Sequence, residues 1–181
     1  MSDATPPVDL SAALRAGHDA LRRRQQGPFA WAQPVAVVGP REATPAQEAC
    51  ARRIGALLGS ARMPVLCGGK SGVMAAVSAG VSGTGGLVIG LLPEEDTRQA
   101  NPHLTVALPT GLGITRNALI ARAARLMIAI GGGLGTTSEM ALALQWGKPV
   151  FAIHDAPDIP GRRGFDDESA LMLAVYDELT A

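Results

Sequence analysis

Leu126-Met127-Ile128-Ala129-Ile130-Gly131-Gly132-Gly133-Leu134-Gly135-Thr136-Thr137-Ser138-Glu139 decides the fold. Five apolar residues run into a stretch with glycine at 131, 132, 133 and 135, and a helical pattern then continues to Trp146. An uninterrupted apolar run of this length reads as a strand buried on both faces, and glycines at its exit let the backbone turn into a helix. Strand, glycine loop and helix together form the repeating unit of a parallel α/β sheet.

The same unit recurs on both sides. Upstream, Val35 to Gly39 reads as a strand, and Thr44-Pro45-Ala46-Gln47 is a capping box with proline at the first helical position, opening a helix to about Gly59. Val65 to Cys67 is the next strand, followed by glycines and a helix from about Ser71 to Val81. Leu87 to Leu92 and Leu104 to Leu108 are further strands, the latter leading to a helix from Thr115 to Arg125. Downstream, Val150 to Ile153 is a sixth strand, a glycine-rich loop spans Ile159 to Phe165, and a last helix runs from Asp167 to Leu179. With right-handed crossovers this makes an α/β fold, a doubly wound, mostly parallel Rossmann-like sheet of about six strands with helices on both faces. Asp9 to Gln26 forms a helix outside that repeat, its Arg22-Arg23-Arg24 run read as a solvated face. Residues 1–33 are therefore expected to be an N-terminal helical extension, and 34–181 one nucleotide- or phosphate-binding domain.

Composition narrows the classes. The 181 residues are 47% hydrophobic and 18% charged, with mean hydropathy +0.18, enough for a full core without disulfides or structural metal. Sixteen basic and sixteen acidic residues balance to a net charge of zero, and 2 Trp, 1 Tyr and 3 Phe supply no base-stacking platform, so no nucleic-acid partner is expected. The uncharged stretch Val73 to Pro93 is broken by glycines at 80, 83, 85, 86 and 90, and no membrane association is expected. Cys50 and Cys67 form no framework and no signal-like segment is evident, so a cytoplasmic location is expected. His18, His103 and His154 show no metal-ligand spacing, and no metal site is expected.

In an open parallel sheet, ligands bind beyond the carboxyl ends of the strands. Two glycine loops fall there, Gly68-Gly69-Lys70-Ser71-Gly72 and Gly132-Gly133-Leu134-Gly135-Thr136, and these are the candidate phosphate-binding residues. Neither is a familiar motif. Gly69-Lys70-Ser71 has Pro64 where a P-loop needs its first glycine, and the dinucleotide fingerprint is missing from the first loop, Gly39-Pro40-Arg41-Glu42. Lys70 reads equally as a phosphate contact or a solvated surface residue. Met74 and Trp146 read as core.

The glycine run continues into Glu139, and Arg116, in Gly113-Ile114-Thr115-Arg116-Asn117, stands fifteen positions before Gly131. This combination, with Gly68-Gly69-Lys70-Ser71-Gly72-Val73-Met74, resembles the LOG ("Lonely Guy") family, long mislabelled lysine decarboxylases, over about residues 34 to 153. Gly131 stands where the plant-type enzymes have proline, Ser138 where they have a first glutamate, and Arg125 where aspartate is usual. In this the chain is most similar to the branch holding the molybdenum-cofactor carrier proteins. The resemblance implies a Rossmann-like fold, no required cofactor, and a ligand that is a phosphorylated nucleotide or molybdopterin-like compound. It also implies a homodimer or larger homo-oligomer, supported by small and apolar Ala118, Leu119, Ala121, Ala123, Met140, Ala141 and Leu144. For the family's enzymes it implies hydrolysis of a nucleoside 5′-monophosphate to free base and ribose 5-phosphate. The catalytic candidates are then Glu139, stabilising the sugar cation, and Arg116, clamping phosphate or ribose. Two other readings stay open: Thr136-Thr137-Ser138-Glu139 as a simple capping box, and a ligand sensor whose N-terminal helix meets a partner.

Overall fold

Alternate side chains of the apolar runs enter two separate cores. In the computed structural model, which describes residues 10–181, β1 (Val35–Val38), β2 (Val65–Cys67), β3 (Val88–Leu92), β4 (Val106–Pro109), β5 (Met127–Ile130), β6 (Val150–Ile153) and β7 (Arg163–Gly164) form one parallel sheet. Val35, Val37, Val65, Ile128 and Phe151 pack beneath α1 (Leu10–Gln26), α2 (Pro45–Ser60), α3 (Val73–Ser82) and α6 (Glu168–Thr180). Ala36, Val38, Met127, Ala129 and Ala152 pack beneath α4 (Asn117–Ala123) and α5 (Leu134–Gln145). The period-two pattern of a strand thus feeds a helical layer on each face, the doubly wound Rossmann-like arrangement. Among the described residues, no helix is long and apolar enough to cross a membrane.

Strand order positions everything that follows. The sheet runs β4-β3-β2-β1-β5-β6-β7, so β1 and β5 are neighbours although three strands separate them in the chain. The chain leaves β1 towards β2 and leaves β5 towards β6, and the loops after β1 and β5 diverge. A crevice opens between them, at the carboxyl end of the sheet.

Several sequence expectations need correction. The sheet has seven strands instead of about six, because Arg163–Gly164, read as loop, pairs with Phe151 and Ala152. Two exposed residues carry no apolar pattern; the partner strand decides them. The helix expected from Thr115 begins as a 3-10 turn, Gly113–Arg116, before α4. Trp146 is not core: it is 36% exposed at the end of α5, with the Arg122 guanidinium 5.2 Å from its ring. Beside these corrections, α1 packs on α6, with Leu21 fully buried and Gly17 against Tyr176. Asp9 lies outside the described residues.

Candidate functional site

The crevice is a cleft of about 340 Å³ lined by Gly39, Pro40 and Arg41 after β1, Gly133, Gly135, Thr136 and Glu139 of the β5–α5 segment, Arg116 and Asn117 at the start of α4, and Met74, Pro93 and Ile114. Five of the residues proposed from sequence are therefore together: Arg116, Gly133, Gly135, Thr136 and Glu139. Gly39, Pro40 and Arg41 join them; in the sequence only their position directly after a strand marks them, because strand neighbours are set by tertiary pairing.

α5 starts earlier than its sequence suggests, and this removes the capping-box reading of Glu139. Helical residues begin at Leu134 behind Gly133, with no side-chain cap. Glu139 is in the second turn, too far along to reach back to the helix start. Side chains cap α2 and α6, where Thr44 accepts from the Gln47 amide in a full capping box and Asp167 accepts from Ala170, whereas α3 and α4, like α5, begin without a side-chain cap. Leaving α5 uncapped puts its first amides, at the positive end of the helix dipole, on the cleft.

Arg116 is 6% exposed, and its Nε and Nη1 are buried with no hydrogen-bond partner among the described residues. Its nearest carboxylate is Glu139, 4.0 Å from Nη1. Burial lowers the guanidinium's affinity for its proton, with Glu139 opposing. Burial also pushes the Glu139 carboxyl up to about 7, with Arg116 pulling it back. The cleft therefore holds a desolvated cation with free donors beside a carboxyl that changes charge near neutrality. Asn117 joins the two helices, its Nδ2 donating to Ser138 Oγ at 3.0 Å.

The other glycine loop supports the cleft from behind. A Cβ at Gly68 would strike the Arg116 guanidinium, so glycine there makes room for the buried arginine. A Cβ at Gly72 would strike the Pro40 carbonyl, Val73 N–H donates to that same carbonyl, and Ser71 Oγ donates to the Arg41 carbonyl at 3.1 Å. Lys70 is neither solvated nor free: its ammonium donates to Glu94 at 2.6 Å and Gln99 at 2.7 Å, outside the cleft. Gly69 packs on Leu92, Gly132 leaves room for the Thr136 side chain, and Leu134 is 90% exposed. By contrast, a Cβ at Gly133 or Gly135 would meet nothing within 4 Å, and Gly135 sits inside a helix, where glycine costs up to about 1 kcal/mol relative to alanine. Packing does not require glycine at these two cleft-lining positions.

A family model described as the SLOG cluster4 family matches residues 32–178. An uncharacterized protein of Archaeoglobus fulgidus is 33% identical over 132 residues, which span 73% of this chain and 87% of that one. The molybdenum cofactor binding protein of the phototrophic bacterium Rippkaea orientalis is 34% identical with a TM-score of 0.66, covering 81% of this chain and 86% of its own. The molybdenum cofactor carrier protein of Chlamydomonas reinhardtii is 28% identical with a TM-score of 0.74, over 82% of this chain and 99% of its own.

Proposed function

The chain belongs to the SLOG cluster4 family, and from that premise we propose that it binds and carries a phosphorylated pterin-type cofactor of the molybdenum-cofactor kind, with the cofactor as cargo. One observation carries the reading: the buried Arg116 has two unpaired nitrogens beside the uncapped start of α5. A phosphate would take charge-assisted hydrogen bonds from Arg116 and from the first amides of α5, satisfying both sets of donors at once. Gly133 and Gly135 keep the floor bare so that the phosphate can approach the backbone. Met74, Pro93 and Ile114 offer an apolar wall for a ring system, and Arg41 adds a second cation at the mouth.

A thermal-shift panel tests this, using molybdenum cofactor released from a molybdoenzyme, nucleoside 5′-monophosphates and inorganic phosphate. The cofactor is expected to raise the melting temperature, since a ligand at 100 times its Kd adds about 2.7 kcal/mol. Gly133→Val should abolish that rise, while the open space around it limits the cost to the unliganded fold to the loss of an N-cap glycine, about 1 kcal/mol. No shift with any phosphorylated compound would overturn the proposal.

The second reading, phosphoribohydrolase activity, is favoured by Glu139: a carboxyl with a value of about 7 facing Arg116 is matched to proton transfer near neutral pH. Release of free base from a nucleoside monophosphate, lost in Glu139→Gln, would establish it in place of the carrier reading.

Assembly follows from the same surface. Ile114, 74% exposed, Leu134, Leu112 and Leu119 are exposed apolar side chains of the segments from β4 to α5, and we propose that a second copy of the chain covers them. Met140 and Ala121, expected to face a partner, are instead buried within the protomer core. Light scattering is expected to give at least twice 18.6 kDa, and Leu134→Glu to return the mass to that of one chain.

A further inference from the structure

Three ligand-type side chains, distant in sequence, meet on the α2 and α6 side of β6. Cys50 comes from α2, His154 follows β6, and Glu168 opens α6; one ligand atom from each lies within 4.8 Å of the others. His154 Nε2 stands 3.6 Å from Glu168 Oε1 and is buried, with no hydrogen-bond partner among the described residues. The backbone is specialised to put it there. His154 and Asp155 both hold left-handed conformations, φ 55° and 58°, which cost a non-glycine residue about 1 kcal/mol or more, and Gln47 Nε2 anchors the His154 carbonyl at 3.2 Å.

We propose that Cys50, His154 and Glu168 form a binding site for a thiophilic divalent cation of the zinc class. Sulfur, imidazole nitrogen and carboxylate oxygen form a donor set suited to zinc or cobalt, whereas calcium and magnesium select oxygen alone. Three protein ligands leave one coordination position open. Metal–ligand bonds of 2.0–2.3 Å set ligand atoms roughly 3.5 Å apart, so the cluster must contract by about 1 Å from its widest allowed spacing. Binding breaks the Cys50 S–H bond, sends that proton to solvent and forms a sulfur–metal bond; no oxidant or reductant is involved. Thiolate and carboxylate then neutralise the cation while His154 stays uncharged, which suits a partly buried site. A cysteine must lose its proton to bind the metal, so uptake of the cation at neutral pH should release close to one proton. Arg53 is the competitor. It donates to both Glu168 oxygens, at 2.8 Å from Nε to Oε2, and its side chain is largely exposed, so a cation on Oε1 has only to displace the Nη2 contact.

Cobalt(II) titration of the reduced full chain reads this site directly. One equivalent should produce the near-ultraviolet thiolate-to-cobalt band. Cys50→Ser should abolish the band, and Cys67→Ala, which removes the other thiol, should retain it. His154→Asn tolerates the left-handed backbone and serves if Cys50→Ser fails to fold; it should weaken cobalt binding at least about tenfold. Absence of the band in the wild type, its persistence in Cys50→Ser, or unchanged affinity in His154→Asn would overturn the proposal. None of these readouts involves the cleft, so they stand apart from the cofactor assay.

Discussion

Arg116→Ala is expected to abolish the ligand-induced thermal shift and to weaken binding of a phosphorylated ligand by about 100-fold or more. Hydrogen bonds to a charged partner contribute roughly 1.5–3 kcal/mol each, and the guanidinium presents two unpaired nitrogens in a desolvated cleft. Each 1.4 kcal/mol is tenfold in Kd, so losing two such bonds exceeds a factor of 100. The unliganded protein should still melt cooperatively, because the substitution deletes unsatisfied buried donors and costs only a 4.0 Å ion pair. Arg116→Lys is expected to rescue little, since an ammonium lacks the planar fork that fits phosphate oxygens. Isothermal titration with the tightest ligand of the panel measures both. Wild-type affinity in Arg116→Ala would remove Arg116 from the site.

Glu139→Gln is expected to act in the opposite direction, and with a pH signature. In the unfolded chain the carboxyl titrates near 4.5; burial in the fold raises it to about 7. Below pH 4.5 both states are protonated. Between 4.5 and 7 the unfolded chain releases its proton while the folded chain keeps it, so wild-type stability falls as pH rises through this window and levels off above it. The total is on the order of 3 kcal/mol at 1.36 kcal/mol per pKa unit. Glutamine mimics the protonated acid and does not ionise. The variant should therefore match the wild type near pH 4.5 and exceed it at pH 8 by that amount, measured by urea unfolding at the two pH values. Anion binding should follow the same charge: wild-type affinity for the phosphorylated ligand falls above pH 7, and Glu139→Gln keeps it. A pH-independent difference between the two proteins would show that Glu139 is charged throughout and does not tune the cleft.

Much of this was legible in the chain. Apolar runs such as Val35 to Val38 and Met127 to Ile130 determine strands buried on both faces, because a side chain's neighbours along a strand are fixed by a period of two whatever the rest of the fold does. The capping box at Thr44 to Gln47 likewise ends one loop and starts one helix with atoms three residues apart. Helices between such strands imply a parallel sheet, and a parallel sheet puts the glycine loops and Arg116 at its carboxyl end.

The remaining features depend on which distant segments touch, which no local period encodes. Strand order set β1 beside β5 and so made Gly39 to Arg41 one side of the cleft wall. Packing behind that wall set Gly68 against the Arg116 guanidinium and Gly72 against the Pro40 carbonyl, and paired Lys70 with Glu94. Starting α5 at Leu134 put Glu139 in the second turn, which removed the capping alternative and left its carboxyl buried beside Arg116. Cys50, His154 and Glu168 meet only because β6 ends between α2 and α6. The sequence alone determined the elements and the end of the sheet where ligands bind; the tertiary structure decided which charges face one another, since those contacts join residues that become neighbours only after the sheet has assembled.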